Sequence, residues 1–477
     1  MFSLKEFHRM KRIAGLICIV FLALTAVAQT NVSGGIYSNT TWTLAGSPYV
    51  VTGSVVVFPG KTLTIEPGCV VNFIADTTFN ISNFKYLEIR GNLYAVGTAE
   101  NRIVFTSTDT TDSSYNWMGI RIKGSQGGTV QLNNFELHNS WYGLHNDVAE
   151  PGVSYAFTNC NFKNNNYAIQ LNADMSYTSC IFEKNGVGQA AQIQYGSLTA
   201  NNCSFIQNLC SFTWSNSIFI NECVFDGNQN NIIGSPGTIQ NCSFYNNLFA
   251  LIESANMQIS NCIFEGNETA IDENGNSTIS GCQFSNNTVA VKLGGNSVLT
   301  NNTISNNQTG VQVRAYEPTT TLINNNQLCN NLLYNLENLT DKNFEVNTNC
   351  FCSTDSATIE NSIYDGYDDI TRGLVNYTIY DEACDSVIRA IAKVILEEPA
   401  AISNTGFNKP TWKAVLFQNI LEINAEIPSR FRIHNLAGQV ILEGNLTAGV
   451  SVIQLNLGSG IYILSNDKGD WIKVFKD

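Results

Sequence analysis

Apolar and polar positions recur with a fixed period between residues 131 and 332. The plainest form of the repeat is Asn-Cys-x-Phe-x-x-Asn, as in Asn241–Asn247 and Asn261–Asn267. The aromatic position falls at Phe162, Phe182, Phe205, Phe225, Phe244, Phe264 and Phe284, then Ile304, at successive intervals of 20, 23, 20, 19, 20, 20 and 20 residues. Two residues before each Phe stands Cys160, Cys180, Cys203, Cys223, Cys242, Cys262 or Cys282. Three after it stands an Asn, the column running from Asn165 through Asn247, Asn267 and Asn287 to Asn307. Two more apolar columns keep the period: Ile239, Ile259, Ile279, Leu299 and Leu251, Ile271, Val291, Val311. A period near twenty with three apolar columns predicts a solenoid with three short strands per coil.

Residues two apart on a strand share a face, so Cys and Phe point inward and the residue between them outward. Equivalent strands then stack in parallel at ~4.8 Å, and the handedness of parallel crossovers makes the fold a right-handed parallel β-helix. Like side chains come to lie on like. The Asn column is expected at a corner, in left-handed backbone, with amides hydrogen-bonded from coil to coil. Several of these Asn also sit in Asn-x-Ser/Thr, but a buried amide cannot carry a glycan.

Around the repeat the pattern changes. Residues 1–28 carry Lys5, Arg9, Lys11 and Arg12 before the apolar run Ile13–Leu24 and end in Ala26-Val27-Ala28, which predicts an export signal. That run is short of the ~20 residues a spanning helix needs, and the mature chain has no other candidate. Residues 29–130 hold irregularly spaced strands, expected as a cap and first coils; 333–386 break the period and predict a lid closing the last coil. A linker at 387–408 precedes seven alternating segments in 409–477, the pattern of a small Ig-like β-sandwich.

Charge narrows the function. The chain has 477 residues, a formal net charge of −14 and only 13% charged residues. Such a surface excludes nucleic acid as a partner.

Candidate chemistry is sparse. The seven ladder cysteines are expected as unpaired interior thiols, since parallel Cα–Cβ vectors resist the ~90° torsion of a disulfide and small thiols pack well. Cys329, Cys350, Cys352 and Cys384 lie near the lid, where an exported chain would oxidise a pair of them. Glu253 and Glu273 stand 20 residues apart, hence one coil apart in one slot, with Asp272, Glu265 and Glu268 nearby. Such a cluster suits Ca²⁺ or an acid–base pair; the alternative is a solvated edge with Asp272 paired to Lys292. No other metal or cofactor is expected. His138, Trp141, Tyr142 and His145 form an aromatic–imidazole group suited to a sugar ring, or else a surface bulge in a first repeat of 27 residues, Phe135 to Phe162.

Three segments resemble known families. Ser33–Gly68 with Leu87–Ser107 resembles the first coils of secreted bacterial β-helix proteins of the pectate-lyase-like superfamily, and Ser362–Tyr377 resembles their closing segment, with Asn349-Cys350-Phe351-Cys352 where that family has Asn-Tyr-Trp-Gly. Phe431–Asp477, through Gly438, Leu457, Gly458–Tyr462 and Lys473–Lys476, is similar to the sorting domain of type IX secretion cargo in Bacteroidetes. That resemblance implies passage across the outer membrane to the cell surface or medium, with the type IX machinery as partner. The superfamily implies polysaccharide as ligand or substrate. Its lyases need an exposed Arg or Lys, and between 185 and 340 only Lys292 and Arg314 are basic. Arg121-Ile122-Lys123 matches a polygalacturonase motif by letters alone. The expectation is a secreted, surface-displayed protein with a binding or structural role toward glycans or other cell-envelope components, with a polysaccharide lyase or glycosidase as the other class.

Overall fold

The computed structural model describes residues 29–377, apart from 77, 79, 112–114, 149–152, 187–190, 193–195, 214 and 315–320, together with Cys384 and the strands between 412 and 476. The export signal, the linker, residues 403–410 and Gly438, Leu457, Gly458 and Ser459 lie outside the described residues. The chain forms two compact units, divided after Glu397.

The first unit is a parallel β-solenoid of about 13 turns of about 21 residues. Parallel stacking already begins at Thr30–Ile36, which pairs with Tyr49–Val57, so the first coils follow the same rule as the regular ones despite their uneven spacing. In the regular part the first strand of each coil joins a nine-stranded parallel sheet from Ser154–Thr158 to Leu322–Asn324. The Cys–Phe strand and the third strand stack in the same way, Phe162 on Phe182 on Phe205 and Leu251 on Ile271 on Val291.

The interior is a set of one-residue columns. Phe225, Phe244 and Phe264 are fully buried, with ring centroids 4.6 and 4.8 Å apart and interplanar angles of 3° and 4°. The coil spacing imposes this overlap, and it matches the favoured aromatic separation. The ladder cysteines are free and buried; the Cys203 amide points at Cys223 Sγ at 3.4 Å, and burial pushes the Cys223 and Cys262 thiols well up. After Cys282 the same slot passes to Asn302, Asn326 and Asn349, which hand amide bonds on from one to the next. Asn349 is therefore a rung of this column.

The Asn column is buried and bonded as the period implies. Asn247 donates from N and Nδ2 to Asn267 Oδ1 at 3.0 and 2.9 Å, and its second amide hydrogen reaches Phe225 O at 3.1 Å. The left-handed conformation belongs instead to the residue before each rung: Asn164, Lys184, Gln207, Gly227, Asn246, Gly266 and Asn286 have φ between 51° and 69°. The turn is made there, which leaves the rung's own side chain aimed along the axis.

The first repeat is also shorter than its Phe spacing. Leu137, not Phe135, pairs with Phe162, so the coil spans 25 residues (162 − 137) and Phe135 fills the slot before it.

The C-terminal cap contains the helix Ser356–Glu360, with Asp355 accepting from the Thr358 amide, and the strand Ile363–Tyr364 added to Tyr334–Asn338. Asp365 is fully buried and clasps the closing loop, accepting from the Tyr367 and Val375 amides at 2.9 and 2.7 Å. The second unit has the seven expected strands, paired antiparallel in a three-stranded and a four-stranded sheet.

Candidate functional site

The carboxylates do not assemble as their spacing implies. Glu253 adopts φ 53° and is exposed; it is the extra residue of a bulge, so Ser254, not Glu253, pairs with Glu273. Glu273 is fully buried. Its oxygens accept from the amides of Gly275 and Gly294 and the hydroxyl of Ser297 at 2.6, 2.7 and 2.7 Å, which compensates its burial. Asp272 pairs with Lys292 at 3.8 Å, as the alternative reading holds, and with Arg314, which also donates to Glu273 O. Glu265 and Glu268 are exposed at the neighbouring edge. The group is a charge-paired face around one buried structural carboxylate.

Arg121 and Lys123 are likewise occupied, by Glu88 at 3.4 Å and Asp147 at 3.2 Å, with Ile122 buried between them. The four lid cysteines form two bonds, Cys329–Cys352 and Cys350–Cys384.

The aromatic group is brought together more fully than the sequence shows. Tyr142 stacks on Tyr167 one coil on, at 5.1 Å, and lies 5.3 Å from the His145 ring. Trp141 meets Tyr142 edge-on at 6.4 Å and Tyr115 edge-on at 6.3 Å. His138 does not join them; it sits on the preceding strand, 3.5 Å from Glu136, with its pKa lowered by burial.

His145 follows Arg121 in an outward row and precedes Gln170. Burial first, and Arg121 second, lower its pKa to about 4. Folded His145 thus stays neutral where the unfolded chain takes up a proton, and stability is lost as pH falls from the unfolded value of about 6.5 toward 4. His145→Gln is expected to flatten that part of the profile; equal falls in Tm for both proteins between about pH 7 and 4.5 would refute the assignment.

Tyr115 connects the aromatic group to a cleft of about 450 Å³. The cleft runs over the Asn corner and is lined by Asn164, Lys184, Gln207 and Gly227 of the left-handed column, by Gly186, Leu209 and Gln229 beyond the rungs, and by Tyr115. Gly186 makes room for Tyr115, whose hydroxyl would lie 1.9 Å from any Cβ there. Trp141 begins the same corner position, because the amides of Trp141 and Asn166 each bond a carbonyl of the coil before. The periodicity marks the corner; Tyr115, outside it, gives no signal.

The N-terminal coils match the family model of a pectate-lyase-like beta helix domain over residues 34–153. The chain is a parallel β-helix protein whose first coils are similar to that domain. A second model, that of the adenovirus 55K protein or large t-antigen, matches residues 196–321 of this β-helix protein. No curated protein matches it. Among solved structures, the β-helix protein is similar to tailspike protein 3 of bacteriophage CBA120, at 10% identity over 72% of this chain and 56% of that one, with a TM-score of 0.21. It thus spans little more than half of that tailspike. It is also similar to the tailspike of E. coli bacteriophage HK620 in complex with a hexasaccharide, at 12% identity over 90% and 87% with a TM-score of 0.24. A third likeness is to a capsular polysaccharide depolymerase, the tailspike gp49 of Acinetobacter baumannii bacteriophage Fri1, at 10% identity over 94% and 77% with a TM-score of 0.17.

Proposed function

We propose that this β-helix protein binds a polysaccharide outside the cell, at the corner cleft. The observation that carries the reading is the placement of the Tyr115 and Trp141 rings beside a cleft lined by amides from successive coils. Aromatic faces and edges accept the apolar side of a pyranose, while the exposed amides of Gln207 and Gln229 offer both donors and acceptors to its hydroxyls. Lys184 adds one cation, which suits a uronate or other anionic substituent.

Binding of the mature chain to acidic and neutral polysaccharides, measured by calorimetry, tests this. Trp141→Ala is expected to weaken the best ligand by about tenfold or more while leaving the fold intact by circular dichroism. Unchanged affinity would remove the cleft from the binding site. New reducing or unsaturated ends during incubation would replace binding by cleavage.

Export rests on the 1–28 segment and on the likeness of 431–477 to sorting domains. Deleting residues 403–477 is expected to hold the protein in the periplasm. Normal surface labelling of the truncated chain would show that another segment directs export.

A further inference from the structure

The four cysteines of the cap stand closer together than two independent disulfides require. Cys329 and Cys350 are fully or almost fully buried, at 0% and 1% exposed, whereas Cys352 is exposed and Cys384 half-buried. Each buried cysteine is bonded to an accessible one, Cys329 to Cys352 and Cys350 to Cys384. The two accessible sulfurs, Cys352 Sγ and Cys384 Sγ, belong to different bonds and lie 3.5 Å apart. Cys329 Sγ joins them in a group whose members are all within 4.8 Å of one another.

A thiolate attacks a disulfide sulfur through a mixed disulfide, so two bonds in van der Waals contact can exchange partners once one of them opens. From this geometry we infer that the cap holds a thiol-exchange site: one equivalent of a dithiol leaves the bond on Cys352–Cys384 and the two thiols on Cys329 and Cys350. The steps balance. One thiolate of the dithiol attacks the accessible Cys384 Sγ, and Cys350 leaves as a thiolate and takes a proton. The second thiol closes the reductant into its own disulfide and frees the Cys384 thiolate. Cys384 then attacks Cys352 Sγ, 3.5 Å away, and Cys329 departs and is protonated. Two electrons and two protons have passed from the dithiol to Cys329 and Cys350.

The exchange changes what the cap is tied to. In the structure the bonds run from the coil strand Gln327–Cys329 to the lid at Cys352, and from Cys350 to Cys384. In the exchanged form the only bond joins Cys352 to Cys384, both beyond the last regular coil, and the lid is no longer cross-linked to the strand bearing Cys329. Among the described residues, nine other cysteines are free and buried along the solenoid, so of the described cysteines those of the cap are where a soluble thiol would act.

The test uses the whole chain. Substoichiometric dithiol is added, the reaction is quenched with acid, free thiols are alkylated after unfolding, and disulfide-linked peptides are identified by mass spectrometry. The expected single-bond species carries Cys352 linked to Cys384, with Cys329 and Cys350 alkylated. A species retaining Cys329–Cys352, with Cys350 and Cys384 alkylated, overturns the inference. Cys350→Ser supplies the Cys384 thiolate without any reductant and leaves one cysteine in the 350–352 segment. Both Cys329–Cys352 and Cys352–Cys384 should be recovered from it, with the second pairing increasing at alkaline pH. Recovery of Cys329–Cys352 alone, with Cys384 fully alkylated, refutes exchange even if the wild-type intermediate is too short-lived to trap.

Discussion

Asn247→Ala is expected to destabilise the β-helix by about 4 kcal/mol, from ~1–3 kcal/mol for each buried polar group left without a partner. The side chain holds three coils at once. It accepts from Asn228 N and Nδ2 at 2.9 and 3.2 Å and donates to Asn267 Oδ1 and Phe225 O. Truncation strands the Asn228 donors and the Phe225 carbonyl, both on the preceding coil, in a site 2% exposed where water does not reach, while Asn267 Oδ1 keeps only the backbone amide of residue 247. Asn331→Ala should cost much less, because that rung is only part-buried and closes the column. Urea unfolding followed by circular dichroism measures both. A loss below about 1 kcal/mol for Asn247→Ala would mean the amide column does not carry the corner.

Phe244→Ala is expected to cost a similar amount, about 3–5 kcal/mol. The ring is fully buried with parallel rings above and below, so the cavity is bounded by Phe225 and Phe264, which the coil backbones hold in place. Collapse is therefore limited, and limited collapse is what makes large-to-small changes expensive. Phe284→Ala should cost less by roughly 0.5–1.5 kcal/mol, because its neighbour on one side is Ile304 and only one stacked pair is lost. In a solenoid each coil touches only its neighbours, so both changes should lower protection from hydrogen exchange first in the altered coil and the two beside it. Uniform loss along the chain would show that the coils unfold as one unit.

The charge cluster at Asp272 and Glu273 shows where periodic reading stopped being sufficient. A spacing of 20 places Glu253 and Glu273 in one slot only if each coil contains the same number of residues in each strand. The left-handed Glu253 breaks that condition locally, turns its own side chain outward and brings Ser254 opposite Glu273. Phe135 misled in the same way: an aromatic in nearly the right place stood for the column, whereas the backbone pairing selects Leu137.

The sequence by itself determined the coil, its three strands, the inward Cys–Phe pairs, the amide column and the seven strands of the C-terminal unit. All of these are encoded by alternation and by a repeat whose members touch their nearest equivalents, so neighbours in the pattern are neighbours in space. Tertiary structure alone decided the rest. Tyr115 reaches Gly186 from a loop three coils earlier by period, and no column relates the two residues. The partners of Cys329 and Cys350 depend on how the lid folds back over the last coil, which four positions along a chain do not encode. Columns are set by local spacing, but the cleft and the sulfur cluster are made where irregular segments cross them.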